Sequence, residues 1–361
     1  MNRRHNFDRA FKQFRQNLQI SDKHNSALTG ARRSVRKYLR QHRPEELGIK
    51  FLTQGSYAYG TLNRPNRVPP QRMDLDDGAY FTAPGTDARK LFDWADNALQ
   101  GLVGAYHGWR LDTNKPSCCR LIIPGNMHID IPLYAILDEQ PNNFSGHRER
   151  YESLYHEAKI PYVAPGKVRL AHRKRGWVES DPRQIINWVL DCVSEYGKQY
   201  LRVCRYFKAW RDNQWANPPL KSILIMRMVD LAFQAEAGIL GDSDDDFIVM
   251  RVAGQMIDML HNGSIADPAD DSQVLNKDIS PDERRDIREK LKSLHKDMEL
   301  ALYGNTSGGK ACELMCLQFG KWFPKDPLSI SGEGKVPAAV VASAVGTPTT
   351  VTAARPWAKK Q

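Results

Sequence analysis

The sequence predicts an α+β fold: a domain with a mixed sheet, packed on a helical domain. Three observations predict it. Apolar residues at helical spacing open the chain. Short segments with alternating apolar residues, bounded by turn signals, follow between residues 49 and 137. From residue 181 onward the apolar period returns to that of a helix and stays there.

Phe7, Phe11, Phe14 and Leu18 share one helical face, as do Leu28, Ala31, Val35 and Leu39. Residues 1–50 are therefore expected as two amphipathic helices broken near Ser21–Asn25. "IKFLTQGS" reads as a strand entering a turn, and "MDLDDGAYF" as a second strand. "TDARKLFDWADNALQGLV" is a helix with Thr86 as its N-cap. "SCCRLII" and "MHIDIPLYAIL" are strands joined by the turn Pro124-Gly125-Asn126. "GKVRLAHRKRGWVES" links the two halves. Helices are expected near 182–195, 197–213, 220–238, 246–261 and 281–303. From residue 329 the composition turns to Ala, Val, Thr, Gly, Ser and Pro, as in a flexible tail.

Of 361 residues, 41% are hydrophobic and 26% charged, a globular balance. No apolar run approaches the ~18 residues of a membrane helix, and the amino terminus lacks the apolar stretch of a secretory signal. The six cysteines form no C-x-x-C pair, against a zinc site or a disulfide framework, so a reducing cytoplasm is expected. Cys118 and Cys119 are expected to pack. The net charge of +10 is uneven: residues 1–50 carry 13 Lys and Arg against 4 Asp and Glu, while residues 241–300 carry 8 against 15. The basic end suits either a polyanion or a solvated helix face.

Asp74-Leu75-Asp76-Asp77 places three carboxylates within four positions. Side chains at i and i+2 of a strand share a face, so Asp74 and Asp76 point together. Asp77 would point with Leu75, and is expected to start a turn with Gly78. In the later strand Ile129, Ile131 and Leu133 line one face, with His128 and Asp130 on the other. An aspartate between isoleucines is costly unless it is paired or bound to a metal. If the two strands are neighbours, three carboxylates converge on a hard-oxygen site suited to Mg²⁺, with Mn²⁺ as the substitute. Two such ions about 3.5–4 Å apart would clamp a phosphoryl displacement. The Gly55-Ser56 turn would offer backbone N–H groups and a hydroxyl to a phosphate.

Gly-Ser, a spacer of 17 residues (57–73), Asp-x-Asp and a third strand Asp together resemble the nucleotidyltransferase superfamily of DNA polymerase β type. "QGSYAYGTLNRP", "MDLDDGAYF" and "HIDIPLYAI" resemble more closely the bacterial cGAS/DncV-like nucleotidyltransferases (CD-NTases), and among them the dinucleotide cyclases of anti-phage CBASS signalling. The resemblance implies a DNA polymerase β-like nucleotidyltransferase domain with the amino-terminal helices (1–175), a helical domain forming the other half of a nucleotide cleft (176–328) and the tail (329–361). It implies that Asp74 and Asp76 hold both Mg²⁺ ions. Asp130 would complete the catalytic site and help deprotonate the attacking ribose hydroxyl. Gly55 and Ser56 would bind triphosphate and Tyr59 would stack on a base. Arg120 would contact nucleotide, Ser180 and Asp181 would read guanine, and Lys208 and Ser222 would hold the donor triphosphate. ATP and GTP would be the substrates of a monomer working without membrane or nucleic-acid template, and 3′,3′-cyclic GMP–AMP the product. Gln361 would be the point where a ubiquitin-transfer-like operon partner acts. The alternatives are a template-independent transferase making linear products, of the oligoadenylate or tRNA-end type, and a non-catalytic nucleotide-binding regulator.

Several motifs have plainer readings beside these. Asp181, Pro182 and Gln184 form the cap, first position and third position of a capping box. "GNTSGGKA" matches a phosphate loop only superficially, since Ala311 replaces the Mg²⁺-binding hydroxyl and a helix precedes it. Gly304 reads as a helix C-cap. "GDSDDD" reads as a loop ending in an N-cap, and Arg173-Lys174-Arg175 as a solvated loop or a polyanion site.

Overall fold

The computed structural model describes residues 5–82, 85–137, 167–236 and 243–332. Gln361 and the rest of the chain beyond 332 lie outside these. Two compact units emerge: Arg15–Pro218 with Ala266–Gln273, and Met1–Phe14 with Pro219–Ile265 and Val274–Gln361.

The chain opens with β1 (His5–Asn6) and α1 (Asp8–Asn17), then α2 (Asp22–Gln41). Ser21 caps α2, its hydroxyl accepting the His24 N–H. Next come β2 (Ile49–Gln54), the single turn α3 (Gly55–Ala58), β3 (Met73–Phe81) and α4 (Ala88–Gly104). Asp87, not Thr86, caps α4: its carboxylate accepts from the N–H groups of Arg89 and Lys90. The Thr86 carbonyl serves the Trp177 indole instead, at 2.9 Å. Then follow β4 (Arg110–Asp112), β5 (Cys119–Ile123), β6 (Met127–Ile131), β7 (Leu133–Ile136), β8 (Val168–His172), β9 (Gly176–Glu179), α5 (Pro182–Tyr196) and α6 (Lys198–Gln214).

β2 to β9 form a mixed eight-stranded sheet with β3 at its centre. β2 pairs antiparallel with one edge of β3, and β6 and β7 pair parallel with the other. "MHIDIPLYAIL" is thus two strands, because Pro132 has no N–H to give the ladder. Their register on β3 is nonetheless shared, Asp76 opposite Asp130 and Ala79 opposite Leu133. The Pro132 carbonyl keeps its bond from the Ala79 N–H, at 2.9 Å. Leu75, Ala79, Phe81, Ile129, Ile131 and Leu133 bury one face against Leu28, Val35, Leu91 and Leu99 of α2 and α4.

Two local expectations change. Asp77 starts no turn. It lies inside β3, fully buried on the helix-covered face, where Arg36 of α2 grips both of its oxygens and Thr53 donates to one. The segment expected as a link is a hairpin, β8–β9, that extends the sheet beyond β7. At its tip Lys174 and Arg175 are exposed, while Arg173 is turned inward, pairing with Asp96 at 2.6 and 2.9 Å and standing 4.1 Å over the Phe92 ring.

The second unit contains α7 (Ser222–Ala235), α8 (Asp245–Asn262), α9 (Pro281–Tyr303), α10 (Gly308–Phe319), a 3₁₀ turn (Pro327–Ser329) and β10 (Ser331–Gly332), which pairs with β1. Phe11 and Phe14 of α1 pack on Phe319 and Phe323 with ring centroids 5.1–5.5 Å apart. Ser280 and Glu283 close a capping box on α9, and Gly304 ends it. Lys310 pairs with Glu313, as befits a helix residue and not a phosphate loop. Asp244 is the N-cap of α8, and its carboxylate accepts from Asn6 at 3.0 Å, while Asp246 takes the Phe7 N–H at 2.7 Å. No helix among the described residues is long and apolar enough to cross a membrane.

Candidate functional site

The face of the sheet away from α2 and α4 carries the acids. Register alone sets one row across five strands: Gln54 of β2, Asp76 of β3, Asp130 of β6, Arg120 of β5 and Asp112 of β4. A second row pairs Asp74 with His128. Arg120 donates from Nε and Nη2 to the two oxygens of Asp130, each at 2.6 Å. Burial, then the charges of Asp74 and Asp130, hold the Asp76 carboxyl well above the usual carboxylate range. Arg120 and Lys208 oppose that shift.

Three carboxylates in adjacent register supply only hard oxygen donors. That chemistry fits a divalent cation of the Mg²⁺ or Mn²⁺ kind better than zinc or copper. Asp76, crowded by two like charges, is the group whose ionisation such a cation would favour. Among the described residues no three His, Cys, Asp or Glu side chains stand gathered as a ready metal site. Both Asp130 oxygens are engaged by Arg120.

The turn after β2 passes directly behind Asp76. Gly55 has φ +68°, and a Cβ there would lie 2.1 Å from Asp76 Oδ2. Only glycine takes this conformation and this clearance without strain. Gly55→Ala is expected to cost about 1–3 kcal/mol in denaturant unfolding through the backbone alone, and to push the Asp76 carboxylate out of its row.

Ser56 is held from below. The Lys208 ammonium of α6, 4% exposed, donates to Ser56 Oγ at 2.8 Å and to the Thr61 carbonyl at 2.8 Å. The Thr61 N–H returns to the Ser56 carbonyl at 2.9 Å, closing the loop. Asn63 and Arg205 exchange two bonds, 2.8 and 2.9 Å, and tie the following residues to α6. Lys208 does not snorkel to water from an apolar helix face; it is buried against the Gly-Ser turn. Burial pulls its pKa down to about 8.

Tyr59 packs on the cluster of Leu52, Tyr80, Tyr134 and Ile186, and burial raises its phenol. Asp181 caps α5, as its sequence context indicates, accepting the Arg183 N–H at 3.1 Å. The reciprocal partner is Arg183, whose side chain reaches both Asp181 oxygens, and not Gln184. The Gln184 N–H goes to the Asp181 carbonyl. Ser180 directly precedes that cap. Ser222 begins α7 in the other unit.

Two further residues stand beside the acids, and only for His128 does strand alternation give a hint, placing it on the face of Asp130. Gln54 donates to Tyr134 Oη at 3.0 Å and leaves its buried Oε1 without a partner. His128 is buried with Nδ1 unpartnered, and desolvation lowers its pKa. Position in the register reveals both; residue type does not.

Comparison with known proteins matches two family models. Residues 49–134 match the nucleotidyltransferase domain described as cyclic GMP-AMP synthase DncV-like, and residues 197–332 match the cyclic GMP-AMP synthase C-terminal domain. A cyclic GMP-AMP synthase of Vibrio cholerae serotype O1 is 36% identical over 209 residues, covering 51% of this chain and 48% of that protein. One from Escherichia coli strain TW11681 is 32% identical over 247 residues, covering 63% and 56%. The chain thus spans about half the length of the curated relatives it matches. The crystal structure of V. cholerae DncV cyclic AMP-GMP synthase with the linear intermediate 5′ pppA(3′,5′)pG superposes with a TM-score of 0.77 at 24% identity, covering 92% of this chain and 100% of that one. The GTP-bound form gives 0.73 at 23%, with the same coverage. At that identity these structures show the shared fold.

Proposed function

Since the chain belongs to the DncV-like nucleotidyltransferase family, we propose that it joins two nucleoside triphosphates into a cyclic dinucleotide, with ATP and GTP as substrates and 3′,3′-cyclic GMP–AMP as product. The observation that carries this reading is the row Gln54–Asp76–Asp130–Arg120 beside the Gly55–Ser56 turn. The 3′-oxygen of one nucleotide bonds to the α-phosphorus of the other, the α–β bridging bond breaks, and pyrophosphate leaves with those electrons. A second attack closes the ring.

Each residue has a task in this reading. The Gly55–Ser56 turn and the Lys208 ammonium receive the triphosphate, with Ser222 as a further contact. Asp130 takes the proton from the ribose hydroxyl. Tyr59 offers its ring to a base. Ser180 and Asp181 accept from the guanine N–H groups, a pairing that adenine cannot reciprocate. Asp74, Asp76 and Asp130 would hold two Mg²⁺ ions, which neutralise phosphate charge and acidify the attacking hydroxyl. The same reading assigns the chain to cytoplasmic anti-phage signalling as a monomer, with Gln361 as the attachment point for a ubiquitin-transfer-like partner.

Chromatography of products from labelled ATP, GTP, CTP and UTP in all pairings, with Mg²⁺ or Mn²⁺, tests this. A phosphatase- and exonuclease-resistant product from ATP with GTP is expected. A phosphatase-sensitive linear ladder, or no pyrophosphate at all, overturns it.

Lys208 adds a pH dependence. Its folded pKa lies below the unfolded value, so between about 8 and 10.5 the unfolded chain binds the extra proton and stability rises with pH. A bound triphosphate favours the charged form. Nucleotide affinity, read by calorimetry, is therefore expected to fall severalfold from pH 7 to 9, and to stay flat across that range in Lys208→Met. A pH-independent wild-type affinity counts against this role for Lys208.

A further inference from the structure

Arg120 occupies the carboxylate that the proposed chemistry needs. Its two-point grip takes both oxygens of Asp130 at 2.6 Å, with the paired side chains only 19% and 13% exposed. Bidentate, charge-assisted pairs are the strong class of ion pair. A cation that ligates Asp130 must displace at least one of these bonds. Arg120 also has more than one acidic neighbour: on β5 it lies in register between Asp130 of β6 and Asp112 of β4, and its charge acts on Asp74 and Asp76 as well as Asp130. A triphosphate arriving on this face brings oxygens of the kind a guanidinium grips equally well.

We propose that Arg120 is a latch: in the nucleotide-free protein it neutralises Asp130 in place of a divalent cation, and the phosphates of an incoming nucleotide draw it away. The proposal rests on the reading of Asp74, Asp76 and Asp130 as a cation site. It makes cation and Arg120 competitors for one carboxylate. The cation would then bind weakly to the free protein and firmly only once nucleotide has taken the guanidinium, which protects the enzyme from assembling its centre without substrate.

Titration of Mn²⁺ into the nucleotide-free full chain, followed by the loss of the free-ion electron paramagnetic resonance signal, tests this without any turnover. Arg120→Gln is expected to bind Mn²⁺ about tenfold more tightly than the wild type. Arg120→Lys keeps the charge but gives up the two-point grip, and should fall between them; it also serves if the Gln variant does not fold. Asp130→Asn should erase the gain when combined with Arg120→Gln. Thermal melting gives a second reading, with Mn²⁺ raising the melting temperature of Arg120→Gln more than that of the wild type. Equal Mn²⁺ affinity in wild type, Arg120→Gln and Arg120→Lys overturns the latch while leaving the cation site standing. No Mn²⁺ binding by any of them, with ATP present or absent, overturns the cation site and the latch together.

Discussion

On the proposed function, Asp76→Asn is expected to lower dinucleotide formation by at least about 10³-fold, since losing one proposed ligand of a centre that would neutralise phosphate charge removes several kcal/mol from the transition state. The same substitution is expected to stabilise the cation-free protein. Asp76 holds its proton in the fold more tightly than in the unfolded chain, because it is buried and faces Asp74 and Asp130. Its contribution to stability is complete below about pH 4 and is lost as the pH rises through the raised folded value. At neutral pH the wild type therefore carries a cost that the neutral amide does not. Calorimetry should show the variant melting a few degrees higher at pH 7, with the difference vanishing near pH 3. Mg²⁺ added together with nucleotide should raise the wild-type melting temperature more than that of the variant. A variant that melts lower at pH 7 would show that the Asp76 charge is already compensated within the fold.

Arg36→Ala should produce the largest loss of stability. Asp77 is wholly buried, and Arg36 supplies two of the three bonds that its oxygens accept. Removing the guanidinium strands a carboxylate in the layer between sheet and α2. Breaking a buried pair on one side costs about 3–5 kcal/mol, which should lower the melting temperature by on the order of 10 °C. The double variant Arg36→Ala with Asp77→Asn should recover much of that loss, because the stranded charge goes with its partner. A single variant that melts within about 2 °C of the wild type would mean that Thr53 and solvent satisfy Asp77 without Arg36.

Asp77 also shows where a sequence stops being readable. Strand alternation placed it with Leu75, on the buried face, and that was right. A buried aspartate was then unattractive, and the neighbouring Gly78 offered a turn. The partner that makes burial tolerable is 41 positions upstream, on a helix crowded with other basic residues. Nothing local to β3 marks it. The hairpin β8–β9 was obscured in a similar way, since its basic tip looks solvated until Asp96 and Phe92 are found beneath Arg173. By contrast, the positions of Asp74, Asp76 and Asp130 were legible, because a two-residue period and a pair of flanking isoleucines fix side-chain direction without long-range information. Pairing of the two strands, and with it the inclusion of Gln54, Arg120 and His128 in the rows, needed the register.

That register has a further consequence. At Asp76 and from Ala79 to Phe81, β3 has backbone neighbours on both of its edges. Its amides there should be among the last in that unit to exchange with deuterated solvent. The alignment of the acids is written into main-chain geometry. Losing a single codon between Met127 and Asp130 would turn the aspartate to the opposite side of its strand, which on the proposed function should abolish activity as surely as losing the acid itself.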